Sequence, residues 1–107
     1  MAYVLVVLRE GEQVKQEHAF AAEHEQFIDS LIERNLVLLG GAFATPVGDA
    51  DAAYLLRCGS IEEARAIVAE DPYVRGQVAS PECVEWELVG INPDAIDPDA
   101  VIRPQDL

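Results

Sequence analysis

The stretch Ala2-Tyr3-Val4-Leu5-Val6-Val7-Leu8 decides the architecture. It reads as a strand, and both of its parities are apolar: Val4, Val6 and Leu8 on one side, Tyr3, Leu5 and Val7 on the other. A strand that is apolar on both faces is covered on both faces. The segments that follow determine what can cover it.

Gln16 to Arg34 reads as a helix. Phe20, Phe27, Ile28 and Leu31 recur at helical spacing, while Glu17, Glu23, Glu25, Asp29 and Glu33 take the remaining positions. Arg34 suits the negative end of the helix dipole, and Asn35 tolerates the positive φ of a helix-ending residue. Leu36 to Phe43 is a second strand, again apolar on both parities; Gly40-Gly41 inside it suggests a bulge or a close approach. Thr45 to Asp51, with Pro46 and Gly48, reads as a loop, and Ala52 to Cys58 as a third strand. Ser60-Ile61-Glu62-Glu63 is a capping box, in which the Ser60 hydroxyl accepts from the Glu63 amide while Glu63 reaches back. The helix it opens is expected to reach about Glu70 and to stop at Asp71-Pro72, because proline brings no amide and disfavours helix in the residue before it. Cys83 to Val89 alternates Val84, Trp86 and Leu88 with Glu85 and Glu87, as a fourth strand would.

The order β-α-β-β-α-β is met most simply by a ferredoxin-like α+β sandwich: a four-stranded antiparallel sheet with both helices on one face. The helices leave the other face open. Since that face is apolar on at least two strands, a homodimer joined sheet face to sheet face is expected to bury it. The domain is placed at residues 1–90. Residues 91–107 form an acidic tail with three prolines and four aspartates, expected to pack on or near the domain, and Asp97-Pro98 has the form of a helix start.

Composition narrows the function. The chain has 107 residues, the size of one domain; half are hydrophobic and a quarter charged, as in ordinary globular proteins. Seven Lys/Arg against 20 Asp/Glu give a net charge of −13, which repels nucleic acid and anionic membranes alike. The longest uncharged stretch, Asn35 to Gly48, is too short to cross a bilayer and carries glycines and a proline. No basic region opens the sequence, so no signal peptide is expected, and cytoplasmic residence is the default. Cys58 and Cys83 make no disulfide framework; in the strand order 4-1-3-2 they are not neighbours and read as buried free thiols. No His/Cys spacing suits zinc and no glycine-rich phosphate loop occurs, so neither metal nor cofactor is expected. Ser60 is committed to its cap and Ser80 has no histidine near it in sequence. Glu85 and Glu87 read as solvated, with Arg9 and Arg57 as partners should their face enter a dimer.

Two histidines remain. His18 lies near the helix start. His24 follows Phe20 by four residues and precedes Ile28 by four, which puts it on the buried face. It reads either as a packed core histidine or as a base. Asp71 reads either as part of a turn or as something less ordinary, since an acid at a helix C-terminus has the wrong sign for the dipole. With both helices on one sheet face, His24 and Asp71 can meet. A carboxylate on one imidazole nitrogen fixes the tautomer and leaves the other nitrogen as general base.

The ordered set of His24, the helix-ending Asn35, Leu36-Val37-Leu38-Leu39-Gly40-Gly41, the capped Ser60-Ile61-Glu62-Glu63-Ala64 and Asp71-Pro72-Tyr73 resembles the YCII-related family, over residues 2 to 90. The resemblance implies a ferredoxin-like dimeric α+β barrel in which a His and an Asp, here His24 and Asp71, are the active-site pair. It also implies lyase chemistry in a few members. The family's frequent arginine three residues before the histidine is Ala21 here, and its frequent proline after the glycines is Ala42. The expected function is a small cofactor-independent enzyme. In it His24 is general acid or base, Asp71 its orienter, and Tyr73 or a backbone amide near Gly41 helps hold a small polar or cyclic substrate. The alternative is a non-catalytic module of the same fold that binds a small molecule or another protein.

Overall fold

The computed structural model describes residues 1–100. Strands β1 (Ala2–Glu10), β2 (Val37–Val47), β3 (Ala50–Cys58) and β4 (Ala79–Glu85) form one antiparallel sheet in the order β2-β3-β1-β4. Helices α1 (Glu17–Glu33), α2 (Ile61–Val68) and a four-residue α3 (Pro72–Arg75) cover one face. This is the ferredoxin-like α+β sandwich. The core sits between the layers: Val4, Val6 and Leu8 of β1 and Tyr54 and Leu56 of β3 pack against Leu31 of α1 and Ala64 and Val68 of α2. The Ser60 hydroxyl accepts from the Glu63 amide at 3.1 Å and the Glu63 carboxylate accepts from the Gly59 amide, a box displaced by one residue on its return arm. Asn35 ends α1 with φ 59°.

Register shows what the other face holds. Leu39, Leu55, Leu5 and Val84 lie side by side across all four strands, on the parity that points away from the helices. Leu39 is 55% and Val84 46% exposed, and Trp86 beyond them 49%.

Three sequence expectations need correction. β2 does not end at Phe43: it bulges outward opposite Asp51 and continues to Val47, and a two-residue turn, with Gly48 at φ 62°, joins it to β3. Pro46 is tolerated there because β2 is an edge strand and its missing amide breaks no ladder. β4 lies about four residues earlier than the alternation of Val84 to Leu88 suggests. Its partner is β1, and the Trp86 amide already bonds the Tyr3 carbonyl, so residues beyond it run out of strand to pair with. Third, Arg9 is not left for Glu85 or Glu87. Its guanidinium bonds Asp49 at 2.9 Å and Glu82 at 3.2 Å, tying the hairpin tip to β4. Glu85 stands opposite Val4, on the helix side of the sheet.

β1 stands between the two cysteines, both free thiols. Residues 91–99 are exposed, with short 3-10 turns at Pro93–Ala95 and Pro98–Ala100; the rest of the expected tail, 101–107, lies outside the described residues. No helix among the described residues is long and apolar enough to cross a membrane.

Candidate functional site

α1 carries Phe20, His24, Phe27, Ile28 and Leu31 along the face turned to the core. His24 is the polar member of that row, and its imidazole would be costly to bury without a partner. The partner comes from the junction of α2 and α3. α2 ends at Val68, and Asp71 does not hang from its C-terminus: it is the N-cap of α3, with φ −62° and ψ 125°, the extended conformation that a following proline favours. Pro72 takes the first helical position, where an amide is not needed. The Asp71 carboxylate therefore sits at the positive end of a helix, and the wrong-sign anomaly suggested by the sequence disappears.

Asp71 is fully buried. Its Oδ1 accepts from the Tyr73 amide at 2.9 Å, the cap bond, and lies 2.8 Å from His24 Nδ1. With a proton on Nδ1 the imidazole donates to Oδ1, so Nε2 carries the lone pair. The His24 side chain is 20% exposed. Tyr73 stacks on the imidazole, ring centroids 4.0 Å apart and planes within 10°. The cap fixes the carboxylate, the stack fixes the ring plane and the helix fixes the approach, so Nε2 is held in one direction with its basic electron pair free. Gly76 makes the contact possible: a Cβ there would lie 2.7 Å from the Phe20 ring, so its absence lets α3 lie close on α1.

The phenols near the pair are held protonated. Burial pushes Tyr73 up to about 12, helped by the negative charges of Glu17, Asp71 and Asp51. Burial, and then the Asp71 charge, push Tyr54 up further. Burial also raises both thiols, Cys58 and Cys83, which makes them poor nucleophiles at neutral pH.

Of the residues singled out from the sequence, the structure brings together His24, Asp71 and Tyr73. It does not bring Gly41 to them. Gly41 pairs with Ala53, in the row that continues to Val7 and Glu82 on the open face, and nothing lies within 4 Å of where its Cβ would be. His18 is exposed. Hollows of about 270 and 300 Å³ lie between α2 and β4 and beside the start of β1, and neither includes His24. Among the described residues no group of three metal-ligating side chains occurs. Sequence reasoning missed Tyr54. Its parity with Leu56 and Cys58 on β3 was the available signal that its phenol points under the helices.

Comparison with known proteins agrees with the fold. The model of the YCII-related domain matches residues 1–87. An uncharacterized protein, YjpA of Bacillus subtilis strain 168, is 31% identical over 86 residues, 80% of this chain and 94% of its own. Among solved structures, the 5-chloro-2-hydroxyhydroquinone dehydrochlorinase TftG of Burkholderia phenoliruptrix AC1100, in complex with 2,5-dihydroxybenzoquinone, superposes with a TM-score of 0.60. It is 15% identical, over 78% of this chain and 93% of that one, a likeness of fold. The match over residues 1–87 and the bacterial relative together place this chain in the YCII-related domain family.

Proposed function

We propose that this protein is a small cofactor-independent enzyme in which His24 is the general base and, later in the cycle, the general acid. The observation that carries the reading is the bond of 2.8 Å between His24 Nδ1 and a fully buried Asp71, with the imidazole still partly open to solvent. A core histidine needs only a partner; this one also keeps a free nitrogen on an accessible edge. Asp71 orients the ring, and the Tyr73 hydroxyl, kept protonated, is a donor for a polar substrate. One base of this kind suits proton abstraction followed by elimination or isomerisation: Nε2 takes a proton, the electron pair moves into the substrate, and a leaving group departs with its own pair. The fold neighbour acts on a chlorinated hydroxyhydroquinone. That makes substituted hydroquinones the first substrates to try. The second reading, a binding module without chemistry, draws support from Ala21, where the family's frequent arginine is missing.

The test is a chloride-release assay on chlorinated hydroxyhydroquinones, beside NMR titration with 2,5-dihydroxybenzoquinone. Turnover that falls by about 10²-fold or more in His24→Ala, with the melting curve retained, supports the enzyme. Binding that perturbs His24 without turnover of any substituted hydroquinone favours the module. Neither binding nor turnover at His24 removes the proposal.

We also assign residues 1–90 as the domain and its open sheet face as the site of homodimerisation. The support is the apolar row Leu39, Leu55, Leu5 and Val84, flanked by Trp86.

A further inference from the structure

Two buried side-chain oxygens among the described residues have no hydrogen-bond partner, and they are Asp71 Oδ2 and the Tyr54 hydroxyl. Asp71 is completely inaccessible and Tyr54 is 4% exposed. Buried polar atoms are almost always paired, so two orphans call for an explanation. Their chemistry is complementary. A phenol offers one hydrogen, and a carboxylate oxygen accepts. Their location is common too. Tyr54 stands on the helix-facing parity of β3, beside Val6, and Asp71 caps α3 on that same side of the sheet. Electrostatic coupling links them as well, since the Asp71 charge acts on the Tyr54 phenol. The neighbouring strand has made room for this side chain: Tyr54 pairs with Gly40, where a Cβ would fall 2.5 Å from the Tyr54 Cβ.

We propose that Tyr54 is a positioning residue for the His24–Asp71 pair, its hydroxyl donating to Asp71 Oδ2 through one internal water. Oδ1 is held by the Tyr73 amide and faces His24; a second anchor on Oδ2 fixes the rotation of the carboxyl group, and so keeps Oδ1 aimed along the Nδ1–H bond. A water with a phenol on one side and a carboxylate on the other has the polar partners that internal waters require. Tyr54 touches no substrate in this scheme. It acts through Asp71. The inference rests on the reading of His24 and Asp71 as a proton-transfer pair, but its test needs no substrate.

In the full chain, Tyr54→Phe keeps the ring and removes the hydroxyl. Histidine NMR should then show the His24 titration midpoint moved upward, because a carboxylate that loses a donor concentrates its charge on the imidazolium. In an Asp71→Asn background the same change should leave His24 unmoved, as expected if Tyr54 works through Asp71. A Tyr54→Phe protein with a lower melting temperature but an unmoved His24 midpoint would have lost only packing, and that overturns the proposal. Should the variant not fold, a high-resolution crystal structure of the unaltered protein decides. One water within hydrogen-bonding distance of both oxygens supports the assignment; a dry gap, or a Tyr54 hydroxyl bonded to a main-chain carbonyl, defeats it. A His24 midpoint that responds as expected, in a protein that turns over nothing, would end the enzymatic reading and leave the positioning role in place.

Discussion

A phenol that stays protonated in the folded chain makes stability depend on alkali. Tyr73 is pushed up to about 12 and Tyr54 further, from an ordinary value of 10.0. Above pH 10 the unfolded chain releases these protons while the folded chain keeps them, so the unfolded state gains. The stability they represent is intact below pH 10 and is lost as pH rises toward and through 12. Melting temperature measured between pH 8 and 12 should therefore fall mainly above 10, and Tyr54→Phe, which has no proton to release, should fall less steeply over that window. An identical slope in the variant would contradict the burial of this hydroxyl. The same residue was hard to pick out in the sequence, where it is one apolar position in a strand. His24 was easier, because Phe20 and Ile28 bracket it at one turn on either side. Asp71 was half visible: Asp-Pro announces a stop, but a four-residue helix has no periodicity, so nothing showed that the aspartate begins an element.

Helices α1 and α3 meet at a glycine. Gly76 closes α3 with φ −84° and ψ 2°, values any residue adopts, so its role is steric rather than conformational. The Phe20 ring occupies the space of its absent Cβ. Gly76→Ala should displace Phe20 or push α3 outward, at about 1–3 kcal/mol by urea denaturation, and weaken the His24–Asp71 contact one turn further along α1. A crystal structure of the variant in which Phe20 has merely rotated and the contact is kept, with stability unchanged, would count against this account. Most elements could be read from the sequence because hydrophobic spacing and caps agree, as for α1 and the Ser60 cap of α2. The failures lie where pairing overrules pattern. The alternation around Trp86 is real, but β1 begins too late to pair with all of it. Pro46 looks like a loop residue and sits on an edge strand, where a missing amide is harmless.

For the whole molecule, apolar surface and charge oppose each other. An open sheet face crossed by Leu39, Leu55, Leu5 and Val84 favours self-association, whereas two chains of −13 repel. Screening weakens only the repulsion. Light scattering should therefore give twice the mass of one chain at micromolar concentration, with tighter association at 0.5 M salt than at 20 mM, and Trp86→Glu should shift the balance to monomer. A monomer at every ionic strength would end the sheet-face assignment. The charge was plain in the composition and the apolar face in the parity of β1. The row that unites the four strands was not, because it depends on register, and register depends on a bulge between Val37 and Leu39 that no local pattern announces.

The sheet order also governs how the chain is born. β1 is synthesised first and lies inside the sheet, but both its partners come late: Ala2 pairs with Cys58, and Val4 with Glu85. The β2–β3 hairpin is the one strand pair made from neighbours in sequence, and it can close as soon as Cys58 is free of the ribosome. Until then Ala2 to Leu8 is a solvent-exposed run of β-forming residues without a mate, the kind of segment from which aggregates grow. Arg9, Glu10 and Glu12 follow it directly, charges placed where a growing intermolecular sheet would have to bury them. Charges of both signs beside the first strand thus oppose aggregation in the interval between the first strand and the last.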